Sequence, residues 1–307
     1  MGTMVPGSRR GAAHASAVTA DPDPAPAHDP AEAQARGAAA AHDVAKRRAW
    51  AGTAAAYAET FATLCAHAVP ALLGAAGARP GDRVLDVGTG PGTVALAAAA
   101  RGCTVTGVDP DPEMVGLARA AVPGARLLVG ALPDLPAEVG GGYDVVAANF
   151  VLNHVGDPLA AAAALARAAR PGGRVAVSVW PVPPGPAQQL WADVLARAGV
   201  RPASATVPAA RDFPRTPGGL ASLLSGAGLG AVDAGEIGFE HVVDPDLWWS
   251  AVERGVASIG AAYRGQTAAG RCALREAFVE LAAGHTGPDG RLHLPARAIV
   301  GAGRATA

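Results

Sequence analysis

Val84-Leu85-Asp86-Val87-Gly88-Thr89-Gly90-Pro91-Gly92 decides the fold. Val84 to Val87 reads as a short buried strand, aliphatic except at Asp86, and Thr93 to about Arg101 reads as the helix after it. Between them three glycines alternate, so the order is strand, tight turn, helix N-terminus. Glycine permits backbone angles closed to other residues and lets a ligand approach the chain closely. Free N–H groups at the helix start suit ligand groups that accept hydrogen bonds. The dinucleotide fingerprint needs Gly-x-Gly-x-x-Gly, whereas here the third glycine comes one residue early and Thr93 holds its usual place. The absence of Gly-Lys-Ser/Thr excludes a P-loop. Asp86 would repel a pyrophosphate and welcome an ammonium, directly or through water.

Cys103 to Val108 reads as the next strand, with Asp109 at its end. In doubly wound folds an acid here hydrogen-bonds ribose hydroxyls. An acid for an amine and an acid for a ribose together describe an amino acid joined to a nucleoside, the makeup of S-adenosylmethionine. The set Asp86-x-Gly88-x-Gly90-x-Gly92 with Asp109 resembles the class I S-adenosylmethionine-dependent methyltransferases, closely over residues 83–180 and loosely from about 46 to the C-terminus.

The resemblance implies S-adenosylmethionine as cofactor and a set of cofactor-binding residues. These are Asp86, Gly88, Thr89, Gly90 and Gly92 in the first loop and Asp109 on the ribose. Pro110 and Met114 would lie on the adenine, with helix core as the other reading of Met114. Backbone at Asn149 or Phe150 would meet the methionine ammonium. One departure stands out. The family often has Gly-Asp-Ala after the third strand, but this chain has Gly130-Ala131-Leu132, so Ala131 replaces the acid that meets the adenine amino group. The Leu132 N–H remains available to the ring, and Asp134 is a candidate substitute.

Length and composition set the bounds. The 307 residues suffice for one large domain with an insertion or for two modest ones, and 50% hydrophobic content supports a sizeable core. With 25 basic and 26 acidic residues the net charge is −1, so no strong field exists for nucleic acid or an anionic membrane. Cys65, Cys103 and Cys272 are far apart and odd in number. They form neither a disulfide framework nor a metal-ligand spacing, and they suit reduced thiols in the cytoplasm. Arg9 and Arg10 hint at a twin-arginine signal, but no adequate apolar run follows. No membrane span is expected.

In chain order, residues 1–42 read as a disordered Ala/Pro-rich tail, too poor in large apolar groups to bury a core. Asp43 to Leu73 reads as helix in one or two pieces, with Trp50, Tyr57, Phe61 and Leu64 on one face. That face either packs on the core or lets Tyr57 or Trp50 close over the cofactor, and Trp50 is also a substrate-contact candidate. Strands follow at Arg126–Val129, Tyr143–Asn149 and Arg174–Trp180, then at Ala231–Val243 and Gly290–Gly301, with the last two antiparallel. Helices are expected over Gln188–Ala198, Thr216–Ala227, Asp246–Tyr263 and Thr267–Ala283. The fold expected is α/β: a Rossmann-like, seven-stranded, mostly parallel sheet with an antiparallel last strand and a helical lid insertion. Residues 43–180 would form the N-terminal helix and cofactor-binding half, and 181–307 the rest of the sheet with the lid.

Asn153 and His154 follow the fourth strand, at the sheet edge where ligands bind. His154 is the candidate catalytic base, the alternative being a histidine that only hydrogen-bonds a loop. Asn153 and Trp248 are substrate-contact candidates. Adjacent residues cannot share one helical face, so one of Trp248 and Trp249 is expected in the pocket and the other in the core. The resemblance and the neutral, aromatic lid together imply methyl transfer to a small organic acceptor, first to oxygen of a secondary metabolite, with carbon or nitrogen close behind. A homodimer is compatible with the sequence. The competing readings are a protein that binds the cofactor without transferring methyl and a nicotinamide-dependent dehydrogenase.

Overall fold

Val84 and Leu85 point to opposite sides of one strand, yet both are fully buried. A strand covered on both faces belongs inside a parallel sheet flanked by helices. In the computed structural model, which describes residues 1–4, 7, 30–201 and 207–306, this strand is β1 (Arg83–Val87). It lies between β2 (Thr104–Asp109) and β4 (Tyr143–Asn149), parallel to both. β3 (Arg126–Val129) pairs outside β2, and β5 (Ala169–Val179) outside β4. β7 (Leu292–Ala305) runs antiparallel between β5 and β6 (Leu229–Val243), giving the order 3-2-1-4-5-7-6. The order reverses between β1 and β4. A crevice opens there at the carboxyl ends of the parallel strands, where ligands bind in such sheets.

The helices are bounded by side-chain chemistry visible in the sequence. α5 (Thr93–Ala100) follows Gly92, whose φ is +93°. Asp111 caps α6 (Pro112–Ala121) through the Glu113 N–H, and Asp157 caps α7 (Pro158–Ala168) through the Ala160 N–H. Leu165 of α7 and Leu220 of α9 (Pro217–Gly226) are fully buried in the core on one side of the sheet. α4 (Val69–Ala75) and α5 cover the other side. A further core joins α8 (Pro186–Arg197), α10 (Pro245–Glu253), α11 (Ala257–Arg264) and α12 (Ala268–Ala282) to β7 through Leu292 and Leu294. The lid is therefore packed on the sheet rather than hung from it.

Three expectations need correction. The chain becomes helical at Pro30, not Asp43: α1 spans Pro30–Trp50. The tail reading counted large apolar groups, but alanine is the best helix former, and this stretch packs by close backbone approach. A Cβ on Gly156 would lie 2.3 Å from the Ala39 carbonyl oxygen, and Asp43 Oδ1 accepts the Gly156 N–H at 2.7 Å. Arg211 pairs with both Glu32 of α1 and Asp157. Most of the predicted disordered tail, and the Arg9-Arg10 pair, lie outside the described residues. Asp43–Leu73 is not one helix or two but the end of α1 plus α2 (Ala54–Glu59), α3 (Phe61–Ala66) and α4. The expected Asp246–Tyr263 helix is α10 and α11, broken because Gly255 takes φ +81°. Among the described residues no helix is long and apolar enough to cross a membrane.

Candidate active site

A cavity of about 700 Å³ opens at the carboxyl ends of all five parallel strands. Gly88 and Gly90 follow β1, Asp109 ends β2, and Gly130 to Leu132 follow β3. Asn149 and Phe150 close β4, and Trp180 follows β5. The opposite wall is helical, with Lys46 and Trp50 from α1, Tyr57 from α2, Phe61 from α3, Trp191 from α8 and Ile259 from α11.

The loop after β1 is held by two carboxylates with different tasks. Asp109 Oδ2 accepts the Gly90 N–H and its Oδ1 accepts the Asp111 N–H, both at 2.9 Å. Asp109 also lines the cavity, and burial raises its pKa to about 6. Asp86 does not line the cavity. Its Oδ2 accepts the Thr89 hydroxyl at 2.6 Å and the Ala95 N–H at 3.0 Å, and complete burial raises its pKa to about 7. Of the two routes expected of Asp86 to a ligand amine, direct or through water, the direct one is closed: Oδ2 braces the loop against the first turn of α5, and Oδ1 is buried without a partner. A buried carboxylate takes the nearest donors, and the helix N-terminus supplies them.

Four other expected site residues also stand behind the wall. Thr89 spends its hydroxyl on Asp86 and its N–H on the Val108 carbonyl. A Cβ on Gly92 would lie 3.2 Å from the Ala118 Cα, so this glycine serves the close packing of the loop on α6. Asn153 Oδ1 accepts the Trp180 N–H at 3.3 Å, so Asn153 holds a lining residue rather than a ligand. Trp248 is completely buried, and Phe61 stacks on it with ring centroids 4.6 Å apart. Trp249 is buried too, because α10 is covered on more than one side. Asp134 is exposed and outside the cavity, so it does not replace the missing acid at Ala131. Asp111 does line the cavity, and its Oδ2 is buried with no hydrogen-bond partner. Trp248→Ala should lower the unfolding free energy by about 3–5 kcal/mol. Denaturant unfolding measures this, and a loss under about 1 kcal/mol would contradict the core placement.

The remaining expected residues come together around the cavity. Met114, Pro110 and Leu132 present an apolar slot beside Asp109. Asn149 is fixed by the Ser178 hydroxyl, which donates to its Oδ1 at 2.6 Å, and by donating its own amide to the Cys65 carbonyl at 3.1 Å. Phe150 adopts φ +58°, a region rarely occupied by bulky residues, and stacks on Trp180 at 3.8 Å. Trp50 meets Tyr57 and His154 edge to face, at 5.3 and 5.6 Å between centroids. His154 Nδ1 is buried without a partner. Burial first, then the nearby Lys46, His42 and Arg215, lower its pKa to about 4.

A methyltransferase-domain family model matches residues 57–229, more than half of the chain. The chain belongs to the class I S-adenosylmethionine-dependent methyltransferases. Among curated methyltransferases, the ubiquinone biosynthesis O-methyltransferase of Xanthomonas campestris pv. campestris is 42% identical over 91 residues, 28% of this chain and 38% of that protein. An uncharacterized methyltransferase of Mycobacterium sp. (strain JLS) is 44% identical over 80 residues, 26% of this chain and 31% of that protein. The chain thus spans about a third of the length of these relatives. The YcgJ protein of Bacillus subtilis matches over 78% of this chain and 99% of its own, at TM-score 0.50 and 19% identity, a likeness of fold.

The residues present suit the cofactor of a class I methyltransferase. Gly88, Gly90, the Asp109 carboxylate and the apolar Pro110, Met114 and Leu132 line one cavity, whose volume lies in the usual range for such ligands. A Cβ on Gly90 would meet nothing nearer than Tyr57 Cε1, at 3.8 Å, so that glycine faces open space. Several lining residues had no separate signal in the sequence. Trp180 follows a strand end, which is a usable clue, but Trp191, Gln188 and Lys46 reach the site only through the packing of α8 and α1.

Proposed function

We propose that this protein transfers a methyl group from S-adenosylmethionine to an oxygen of a small organic acceptor. The observation that carries the reading is that one cavity is lined both by the strand-end residues Gly88, Gly90, Asp109 and Leu132 and by His154 and the aromatic helical wall of Trp50 and Phe61. Oxygen as the receiving atom is supported by the relatives named O-methyltransferases. A cytoplasmic setting and a secondary-metabolite acceptor complete the reading. They are supported by free, scattered cysteines and by the apolar, aromatic helical wall.

When bound, S-adenosylmethionine would supply an electrophilic methyl carbon with a neutral thioether as its leaving group, and an acceptor hydroxyl would give up its proton. The chain's own residues bind, orient and exclude water. Asp109 would accept the ribose hydroxyls, while Met114, Pro110 and Leu132 would hold the adenine. The Asn149–Phe150 backbone, fixed by Ser178, would meet the amino-acid end. Tyr57 and Trp50 would close the cavity, and an aromatic face beside a sulfonium contributes about 0.5–2 kcal/mol. Holding two reactants in line supplies roughly 7–11 kcal/mol of the barrier, so positioning is the main task.

His154 is unprotonated at neutral pH because its pKa is lowered to about 4, so Nδ1 can receive the acceptor's proton. A base of such low proton affinity assists less than one titrating near neutrality. His154→Ala should therefore lower kcat by about tenfold to a hundredfold, with S-adenosylhomocysteine affinity unchanged. Steady-state rates and calorimetry separate the two, and full activity would leave positioning as the whole mechanism. The reading itself is tested by calorimetric titration with S-adenosylmethionine and S-adenosylhomocysteine, then by product analysis. Micromolar binding, about −8 kcal/mol, is expected for both. Binding without any accumulation of S-adenosylhomocysteine over candidate acceptors would favour a protein that uses the cofactor without methylating.

A further inference from the structure

Lys46 is the one lysine among 25 lysine and arginine residues. α1 places it on the cavity wall, close enough to His154 to act on it electrostatically. Its ammonium is partly withdrawn from water, and among the described residues no carboxylate pairs with it. Asp43, one turn earlier on α1, lines the same cavity, and its Oδ1 is occupied by the Gly156 N–H. The side chains of Lys46 and Arg215 both reach His154 with positive charge, and that of Arg215 is paired with Asp212. Lys46 is therefore a cation of this wall that no ion pair neutralises among the described residues, beside a histidine nitrogen that has no partner.

Withdrawing an ammonium from water costs free energy that only an opposite charge offsets well. The lone lysine of an arginine-rich chain also offers a compact point charge rather than a fork. Farther along the wall the surface is apolar, with Phe61, Trp191 and Ile259. We propose that the methyl acceptor is an anion, a ring-bearing molecule whose carboxylate pairs with Lys46 while its body lies against Phe61 and Trp191. This rests on the methyltransferase reading and names the substrate class of that site. Lys46 is a specificity residue here, and takes no part in the bond change.

The test uses the whole protein saturated with S-adenosylhomocysteine and titrated with 2-naphthoate and with its neutral counterpart 2-naphthamide. Naphthoate should bind about tenfold more tightly than the amide to the unaltered protein, the range of a charge-assisted contact. In Lys46→Met the two probes should bind alike, with S-adenosylhomocysteine affinity unchanged; Lys46→Arg should keep part of the preference. Equal binding of the probes to the unaltered protein, binding of neither, or a preference that survives in Lys46→Met would each overturn the proposal. A loss of S-adenosylhomocysteine affinity in Lys46→Met would also overturn it, by giving the lysine to the cofactor's carboxylate. A second readout needs no cofactor. Acylation of the only ε-amine, followed by peptide mass spectrometry, should be slowed by naphthoate and not by naphthamide. If S-adenosylhomocysteine itself fails to bind, the methyltransferase reading falls, while this second readout still judges the anion site.

Discussion

A Gly90→Val protein should fold and lose its affinity for S-adenosylhomocysteine. Gly90 sits at φ +54°, and a Cβ there would make only an ordinary 3.8 Å contact with Tyr57. The added side chain would extend into the open cavity, on the floor where the cofactor is placed. The backbone angle costs valine about 1–3 kcal/mol, within what a domain of this size can lose. The bound ligand has no such slack, because the loop is held by Asp109 on one side and the β1–β2 register on the other. Affinity should fall by about a hundredfold or more, ~2.7 kcal/mol. Calorimetry against a thermal melt checks this, and undiminished affinity in a folded sample would sink the floor assignment. Gly88 is different: a Cβ there would lie 2.4 Å from Val151 Cγ2, so substitution would damage the fold before it touched a ligand.

Asp109→Ala should be as severe for a different reason. It removes the acceptor of the Gly90 and Asp111 N–H groups and exposes no new partner for either. It also removes the carboxylate proposed to hold the ribose. Charge-assisted hydrogen bonds contribute about 1.5–3 kcal/mol each, so affinity should fall by about a hundredfold to a thousandfold. Unchanged affinity in the folded variant would remove Asp109 from the site. The unaltered protein adds a pH test. Burial raises this carboxyl from 3.8 to about 6 in the unliganded fold. Its contribution to stability is therefore fully present below 3.8 and lost as pH rises through about 6. A ligand hydroxyl that donates to it favours the ionised form, so cofactor affinity should fall as pH drops through about 6. Asp109→Asn should flatten that dependence.

The strands were legible because glycine and proline punctuate them. Arg126–Val129 and Tyr143–Asn149 are bounded as expected, and the loop after β1 stands where its glycines place it. What a linear pattern lacks is direction. The pattern predicts that Asp86 serves a ligand amine directly or through water, whereas its Oδ2 turns inward to Thr89 and Ala95. Helical geometry alone divides Trp248 and Trp249 between pocket and core, but a helix covered on several sides buries both. The part of α1 before Asp43 gives little amphipathic signal because it is rich in alanine, and its docking depends on the absence of a side chain at Gly156. Trp191 reaches the cavity only because α8 packs against the lid core, a relation between distant segments.

The two walls of the cavity are made from different kinds of structure. One is the set of strand ends, tied into the sheet register and braced by Asp86 and Asp109. The other is α1, α8 and α11, none of which contributes a strand. Substitution therefore acts on them unequally. A change at a strand end disturbs the frame on which every neighbour is aligned. A change on the wall helices leaves the sheet register untouched and is felt in the lid core, where Trp191 and Ile259 are packed. The acceptor side of such a cavity can therefore be reshaped by repacking the lid, without disturbing the strand ends.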